Sequence, residues 1–503
     1  MKKKIIIIGA ILIGLLGGCL GSSEPVLASP GYDMGISNQS EYQELVFLSG
    51  QPKVFSGTIK ETTRAKDDQI QTTLTYKLQD AEGNGDKLTR TVKVTSKIEK
   101  RGQQEVHISS LDSYTESVTI DGQQFKVGKD AVVFSGSEVV DYQPMIDYSN
   151  GNWNLKKTYE AGRNMGRVIV EMNGQTDYYA NAWGEGESGQ IQVSVQGEVV
   201  SNQGEKTTST WQGSARVVKN RTMARTLNYM ATDPELISFS GGFIDETREE
   251  QVLRATYNLP RGSDEGLLDN RRNTGEMTLT SLSMPQSKRL FVKECKDLRG
   301  HWARAAIESL CGLGAFEITG DYFMPGVAIK RGEYIKAVMV VGERAQSADA
   351  QKTSTAKRKK EPVEEPIFLD VDPEHPLFKY IQAASKMDIV RGNGAVFNPY
   401  DNLTRAEAIS IMVKAMGLEN LAPTPSYSTG YYDDAAIPLW AKDSVYVATN
   451  YGLIKGDLIG GNRLFRPLDI VTRAEAASMI DQFRVYLNQD FSQDRQRVYQ
   501  IAR

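Results

Sequence analysis

Phe397-Asn398-Pro399-Tyr400-Asp401-Asn402-Leu403-Thr404-Arg405-Ala406-Glu407 sets out a frame that the chain uses three times. Phe-x-Pro returns as Phe323-Met324-Pro325 and as Phe465-Arg466-Pro467. The closing tetrapeptide returns as Lys330-Arg331-Gly332-Glu333 and as Thr472-Arg473-Ala474-Glu475. Repetition at such spacing marks one supersecondary unit used several times. Thr-x-x-Glu is a capping box, in which the hydroxyl accepts from the N3 amide and the carboxylate turns back to the N-cap amide. Thr404 with Glu407, and Thr472 with Glu475, therefore start helices. Ile409, Met412, Val413 and Met416 continue the first of these at helical spacing. The arginine falls in the first turn, beside free amides and the positive end of the helix dipole, a ready place for an anion. A guanidinium there can meet a carboxylate through two parallel hydrogen bonds.

A second helix leads into each box. Asp297 precedes His301-Trp302-Ala303, Asp370 precedes Pro376-Leu377-Phe378, and Asp434 precedes Leu439-Trp440-Ala441. Turns at 314–320, 388–392 and 452–456 contain the glycines that stop these helices. The unit is thus helix, glycine turn, loop, capped helix. Between the first two units, 344–366 is polar and carries Lys357-Arg358-Lys359-Lys360, which reads as a linker without a core of its own.

Outward toward the N-terminus, 30–288 changes period. Ile70, Thr72, Leu74, Tyr76 and Leu78 alternate with mostly polar residues, as do Ile191, Val193 and Val195. That is the period of a strand with one buried face. Asp121-Gly122 and Asn173-Gly174 sit between apolar runs and carry the signature of two-residue hairpin turns. An antiparallel, hairpin-connected β domain follows, with sandwich, barrel and single curved sheet all open. Trp153, Trp183 and Trp211 are expected in its packing. Gly184-x-Gly186-x-x-Gly189 is followed by an alternating strand, where a dinucleotide fold needs a helix, and reads as a loop between strands.

Lys2-Lys3-Lys4 and the apolar run 5–16 form an export leader, too short to span a bilayer comfortably. Two exits are open: a lipoprotein-type site ending in Cys19, and an ordinary cleavage after Ala28 that gives a 1–28 signal peptide. The formal net charge of −4 over 503 residues gives no reason to expect nucleic-acid binding. His107, His301 and His375 are scattered and no metal spacing appears. Cys295 and Cys311 read either as a disulfide of an exported protein or as two buried thiols.

The C-terminal pattern over 290–483 resembles the S-layer homology (SLH) family. Its motif runs Phe-x-Asp, Trp-Ala-x-x-Ala-Ile, a glycine turn, Phe-x-Pro and Thr-Arg-Ala-Glu. The resemblance implies an α+β multidomain chain: the β-rich domain, then a helical pseudo-threefold unit of three modules at 290–343, 367–420 and 431–484, and a tail from 485 to 503. It implies grooves for secondary cell-wall polysaccharide, typically bearing ketal-linked pyruvate. Arg331, Arg405 and Arg473 would face the grooves and meet the pyruvyl carboxylate. Asp297, Asp370 and Asp434 would bind sugar hydroxyls or order the loop, and Gly392 and Gly456 would let the backbone approach the glycan. Trp302 and Trp440 would pack in the core in preference to lining groove walls. Copy one departs from the pattern at Cys295, Lys330 and Gly332, and copy two at Pro376. The expected protein is a non-enzymatic, cofactor-free envelope component. Its partners would be wall polysaccharide and peptidoglycan, a lipid membrane if Cys19 is acylated, and further copies of itself in a surface layer. A wall-held polysaccharide-active enzyme and a lipoprotein bridging membrane and wall are the alternatives.

Overall fold

The computed structural model describes residues 34–37, 41–162, 166–201, 207–231, 241–263, 266–343, 365–424 and 427–488. The leader with Cys19, nearly all of the linker and the tail beyond 488 lie outside the described residues.

The first seven strands are β1 (Gly35–Ser37), β2 (Tyr42–Val46), β3 (Lys53–Lys66), β4 (Gln69–Asp80), β5 (Lys87–Arg101), β6 (Gln104–Ile120) and β7 (Gln123–Tyr142). The next seven are β8 (Ile146–Ala161), β9 (Gly166–Asn181), β10 (Gly184–Ser201), β11 (Thr207–Met230), β12 (Gly242–Ser263), β13 (Gly266–Leu282) and β14 (Gln286–Phe291). The strands β1 to β13 pair antiparallel in chain order, and β14 returns to pair with β12. One long meander is therefore the observed solution. Side chains draw its two ends together: Ser37 N–H donates to Gln251 on β12, and Ser281 on β13 donates to the Ser37 carbonyl. Alternation explains the single core. On β4, Leu74, Tyr76 and Leu78 are buried while Lys77 and Gln79 face water.

Asp121 and Gly122 take left-handed φ values of 51° and 77° and turn β6 into β7 as the sequence predicts. Asn173-Gly174 does not form a hairpin. Both residues lie in the middle of β9, with Gly174 directly opposite Trp153 on β8. A side chain at Gly174 would overlap the Trp153 ring. The same arrangement recurs at Gly186 with Tyr179, Gly197 with Trp211 and Gly275 with Tyr257, each a cross-strand pair. Glycine opposite an aromatic lets the ring lie across the neighbouring strand. Gly184, Gly186 and Gly189 accordingly belong to β10 itself and not to a loop.

Arg90 is buried among four strands. It donates to both oxygens of Glu44, at 2.9 and 2.6 Å, and to Glu116 at 2.7 Å. Lys157 Nζ reaches the other Glu116 oxygen at 2.9 Å, and the Tyr159 hydroxyl donates to the same atom at 3.0 Å. Burial alone would raise the Glu116 carboxyl, but the Arg90 and Lys157 charges outweigh it and hold it well below the usual carboxylate range.

Beyond β14 the chain becomes helical. The helices are α1 (Arg304–Gly312), α2 (Arg331–Val341), α3 (Phe378–Lys386), α4 (Arg405–Ala415), α5 (Leu439–Asn450) and α6 (Arg473–Leu487). The last one runs past the expected boundary at 484. Each lead helix ends in the same way. Gly314, Asp388 and Gly452 are left-handed, and the following amide bonds five residues back: Ala315 to Leu310, Ile389 to Ala384 and Leu453 to Ala448. The lead helices α3, α5 and α1 pack on the boxed helices α2, α4 and α6 respectively.

The β domain and the helical region share a seam. Trp183, at the turn from β9 to β10, is buried in the helical core, and its Nε1–H donates to the Val341 carbonyl at 2.9 Å. The guanidiniums of Arg225 and Arg484 lie 4.6 and 5.2 Å from the ring. Arg225 also holds Asp245 through two bonds of 2.7 Å and reaches Glu343 beyond the end of α2.

Candidate functional site

The three Phe-x-Pro loops share one unusual backbone. Their middle residues, Met324, Asn398 and Arg466, have φ of 61°, 58° and 57°. Side-chain-bearing residues enter this region only when something holds them there. Here a carboxylate does. Asp297 accepts from the amides of Phe323 and Met324 at 3.0 and 2.7 Å, and Asp370 from Phe397 and Asn398 at 2.8 and 2.6 Å. In the third copy the anchor is Asp433, which accepts from Phe465 and Arg466 at 2.8 and 2.7 Å. Asp434, the residue singled out from the sequence, is one position off. It accepts instead from Thr429 and Lys442. Tyr431-Tyr432-Asp433 does parallel Phe368-Leu369-Asp370, so the aromatic-x-Asp spacing carried the signal. For Asp297 and Asp370, desolvation opposes ionisation, and the backbone amides together outweigh it and hold both carboxyls below their ordinary value.

Each loop serves the box of the copy before it. Pro399 carbonyl accepts from Gly332 N–H, Pro467 from Ala406 and Pro325 from Ala474, at 2.8, 3.0 and 3.0 Å. The arginine amides are taken as well: Arg331 by Asp401, Arg405 by Asp469 and Arg473 by Val327. Both capping boxes form as the sequence predicts, so the threonines take the N3 amides. In the second and third copies the helix-start amides expected to receive an anion are therefore occupied, which leaves the guanidiniums as the candidate anion contacts there.

Those guanidiniums also cross to the next copy. Arg405 Nε donates to the Phe465 carbonyl at 2.9 Å, and its terminal nitrogens stand 3.6 Å from Glu475 and 3.8 Å from Asp457. Arg473 Nε donates to the Phe323 carbonyl at 3.0 Å, while its terminal nitrogens bond Glu333 and the Glu317 carbonyl. Arg331 donates to the Arg391 carbonyl at 2.8 Å and pairs with Glu407 at 3.4 Å, but its buried Nε has no partner among the described residues. Each guanidinium lies over the next copy's loop phenylalanine, 4.9 Å from Phe397, 5.6 Å from Phe465 and 4.4 Å from Phe323. Exposure orders them unexpectedly: the Arg331 side chain is 23% exposed, Arg473 12% and Arg405 8%. Burial pushes the Glu333 carboxyl up despite its contact with Arg473.

The departures in copy one have physical reasons. A side chain at Gly332 would press on the end of the Leu377 side chain and on Pro399, so alanine there would require both to shift. Lys330 makes no side-chain cap and instead reaches Asn402 at 2.8 Å. Gly392 and Gly456 leave no room for a side chain because the rings of Phe368 and Tyr431 lie against them. Copy one inverts that exchange of volume, with Cys295 in the ring position and Ile318 in the glycine position. Cys295 and Cys311 are free thiols here, and burial pushes Cys311 up to about 12. Trp302 and Trp440 are not core residues; they are 67% and 61% exposed.

The family model of the S-layer homology domain matches residues 367–409 and 430–477, so these two segments carry that domain. The chain is 29% identical over 194 residues to Exoglucanase XynX of Acetivibrio thermocellus, covering 37% of this chain and 16% of that protein. It is 27% identical over 200 residues to Amylopullulanase of Thermoanaerobacterium thermosulfurigenes, covering 38% and 9%. It is 38% identical over 87 residues to Cell surface glycoprotein 1 of Acetivibrio thermocellus, covering 17% and 4%. The chain thus spans a small part of the length of each of these relatives. S-layer homology domains indicate attachment to the cell wall.

Proposed function

We propose that this chain is a non-enzymatic cell-envelope protein, held non-covalently on pyruvylated secondary cell-wall polysaccharide by three SLH modules and displaying a β domain outward. The observation that carries the reading is the cyclic reach of the three arginines. Arg331 crosses to the second copy's loop, Arg405 to the third's and Arg473 back to the first's. Such closure supports a pseudo-threefold unit that includes the segment at 290–343, where the family model makes no match. Each cleft then offers one permanent cation against an aromatic floor and a loop fixed by an aspartate. That chemistry suits a sugar carrying a carboxylate. In keeping with the non-enzymatic part, two depressions on the sheet, among the described residues, are lined without a carboxylate. Acid pairs for glycoside cleavage stand roughly 5–10 Å apart across a cleft, whereas Glu44 and Glu116 are locked on Arg90 inside the core.

The test is co-sedimentation of the mature chain with purified wall sacculi, before and after removal of pyruvate. Arg331→Lys is the first variant, because its guanidinium is the most exposed and lysine keeps the charge while losing the planar fork. A charged hydrogen bond contributes about 1.5–3 kcal/mol, so binding should fall roughly ten- to a hundredfold. An Arg405→Lys/Arg473→Lys variant should fall further, with part of its loss traceable to stability. Unchanged binding by the triple variant, with an unchanged melting profile, refutes the groove assignment. Equal binding to depyruvylated walls removes pyruvate as the partner. The mass of the mature N-terminus decides between a lipid anchor at Cys19 and cleavage after Ala28.

A further inference from the structure

The outward face of β8, β9 and β10 carries an uncharged polar island. Ser135, Asn154, Asn173 and Gln192 stand directly opposite one another across four strands. Two residues along, Ser137, Asn152, Gln175 and Gln190 form a second such row. All but the half-buried Ser137 are exposed. Charge returns in the rows on either side and at Arg216 toward β11, while toward β6 the neighbours are Ser110 and Ile108. Lys156 pairs with Glu171 in the row on one side, and Asn150 bonds to Asp177 in the row on the other. Arg216 closes the edge toward β11 and donates to Gln190 at 3.1 Å. Two depressions, of about 590 and about 500 Å³, meet on this face at Asn173 and Gln192.

Nothing in the fold asks for these residues. Asparagine is disfavoured in strands, and an exposed sheet face is better served by threonine. The amides are only partly spent on one another. Asn154 donates to Asn173 at 2.5 Å and Ser137 to Asn152 at 3.1 Å. Gln175 and Gln192 have no side-chain hydrogen bond among the described residues. A primary amide offers two donors and an acceptor with two lone pairs, matched to hydroxyls that both donate and accept. A protein partner would call for aromatic or aliphatic anchors at the centre of the patch and few serines. A charged polymer would find no counter-charge inside the island.

We propose that this face of β8–β10 binds an uncharged polysaccharide, with the sugar chain lying across the strands. Strands stand about 4.8 Å apart, close to the length of one pyranose unit in an extended chain, so neighbouring strands address successive sugars. The site is separate from the arginine clefts and does not rest on them.

The test is affinity electrophoresis of the full chain in gels containing mixed-linkage β-glucan, xylan or galactomannan, with polygalacturonate as the charged control. At least one neutral polymer should retard the parent. Asn173→Asp combined with Gln192→Glu keeps shape and volume but adds two charges, and should weaken that retardation by about tenfold or more. Asn173→Thr with Gln175→Thr, which favours the strand, should weaken it as well and guards against misfolding of the first variant. Arg331→Lys should leave it unchanged. The proposal is overturned if no neutral polymer retards the parent, or if both double variants are retarded as strongly as the parent. It is also overturned if the island instead governs concentration-dependent self-association in sedimentation velocity, which would make it a protein interface. Loss of wall binding by the arginine variants with retardation intact separates failure of one site from failure of the other.

Discussion

Replacing Trp183 with alanine should uncouple the β domain from the helical region. The ring is 1% exposed and belongs to the helical core although it is attached to the sheet. Removing a buried tryptophan costs about 3–5 kcal/mol. That figure includes the Nε1–H bond to Val341, about 1 kcal/mol on its own. The contacts with Arg225 and Arg484 contribute about 0.5–2 kcal/mol each when desolvated, which places the loss near the top of the range. Against domain stabilities of about 5–15 kcal/mol, a loss of that size at the seam should separate two unfolding events. Trp153→Ala is the control, since it removes the same ring from the core of the sheet alone. Calorimetry with amide hydrogen exchange reads both. Trp183→Ala should speed exchange in α2 and α6 while β4 and β5 stay protected, and Trp153→Ala should do the reverse. Trp183→Phe keeps an aromatic ring but loses the N–H and the second ring, and should cost more than the about 1 kcal/mol of the hydrogen bond, though less than Trp183→Ala. Equal exchange profiles for the two alanine variants, or unchanged α2 protection in Trp183→Ala, would refute the seam.

Thr404→Ala and Thr472→Ala should each cost about 1 kcal/mol through loss of the cap, whereas Lys330→Thr should stabilise by a similar amount by completing the box with Glu333; urea midpoints measure all three. Asp433→Asn should cost about 2 kcal/mol, because it weakens two charged hydrogen bonds that hold a left-handed residue, while Asp434→Asn should leave that loop in place and lose only its own bonds to Thr429 and Lys442, a difference that loop hydrogen exchange reads. The folded carboxyls of Asp297 and Asp370 titrate below their unfolded value of about 3.9. Their contribution should therefore be fully present above that value and fade as pH falls through the folded ones, seen as loop exchange in an acid titration. Protein isolated from the envelope, denatured and alkylated before and after reduction, should gain two labels on reduction if Cys295 and Cys311 pair in the oxidising compartment; two labels without reduction show free thiols.

Much of the fold was open to sequence reading because its signals are local. Alternation over Leu74, Tyr76 and Leu78, the Asp121-Gly122 turn and both Thr-x-x-Glu boxes each involve only near neighbours, and each lies where expected. The failures are non-local. Asn173-Gly174 has the composition of a turn, and only the Trp153 ring on another strand explains its glycine. The amides at Arg405 and Arg473 are free in an isolated helix, and only the loop of another copy occupies them. Trp302 and Trp440 show the limit of composition, since large aromatics that would normally be buried here face water. The missing capping threonine of copy one is a local signal about helix stability and says nothing of exposure, which is greatest at Arg331 among the three cations.

That contrast bears on how the proposed clefts would work. A guanidinium that holds the neighbouring loop cannot be given wholly to a ligand, so structural and binding roles compete for the same donors. Arg473 spends all of its nitrogens on the next copy, through the Phe323 carbonyl, Glu333 and the Glu317 carbonyl. Arg405 spends its Nε on the Phe465 carbonyl and keeps its terminal nitrogens at ion-pair distance from Glu475 and Asp457. Arg331 retains a buried Nε with no partner among the described residues, and an unmet donor of that kind favours whatever acceptor can reach it. The three clefts are therefore unequal. If the clefts bind the wall polymer as proposed, affinity should concentrate at the cleft between the first and second copies, where the cation is the most exposed of the three.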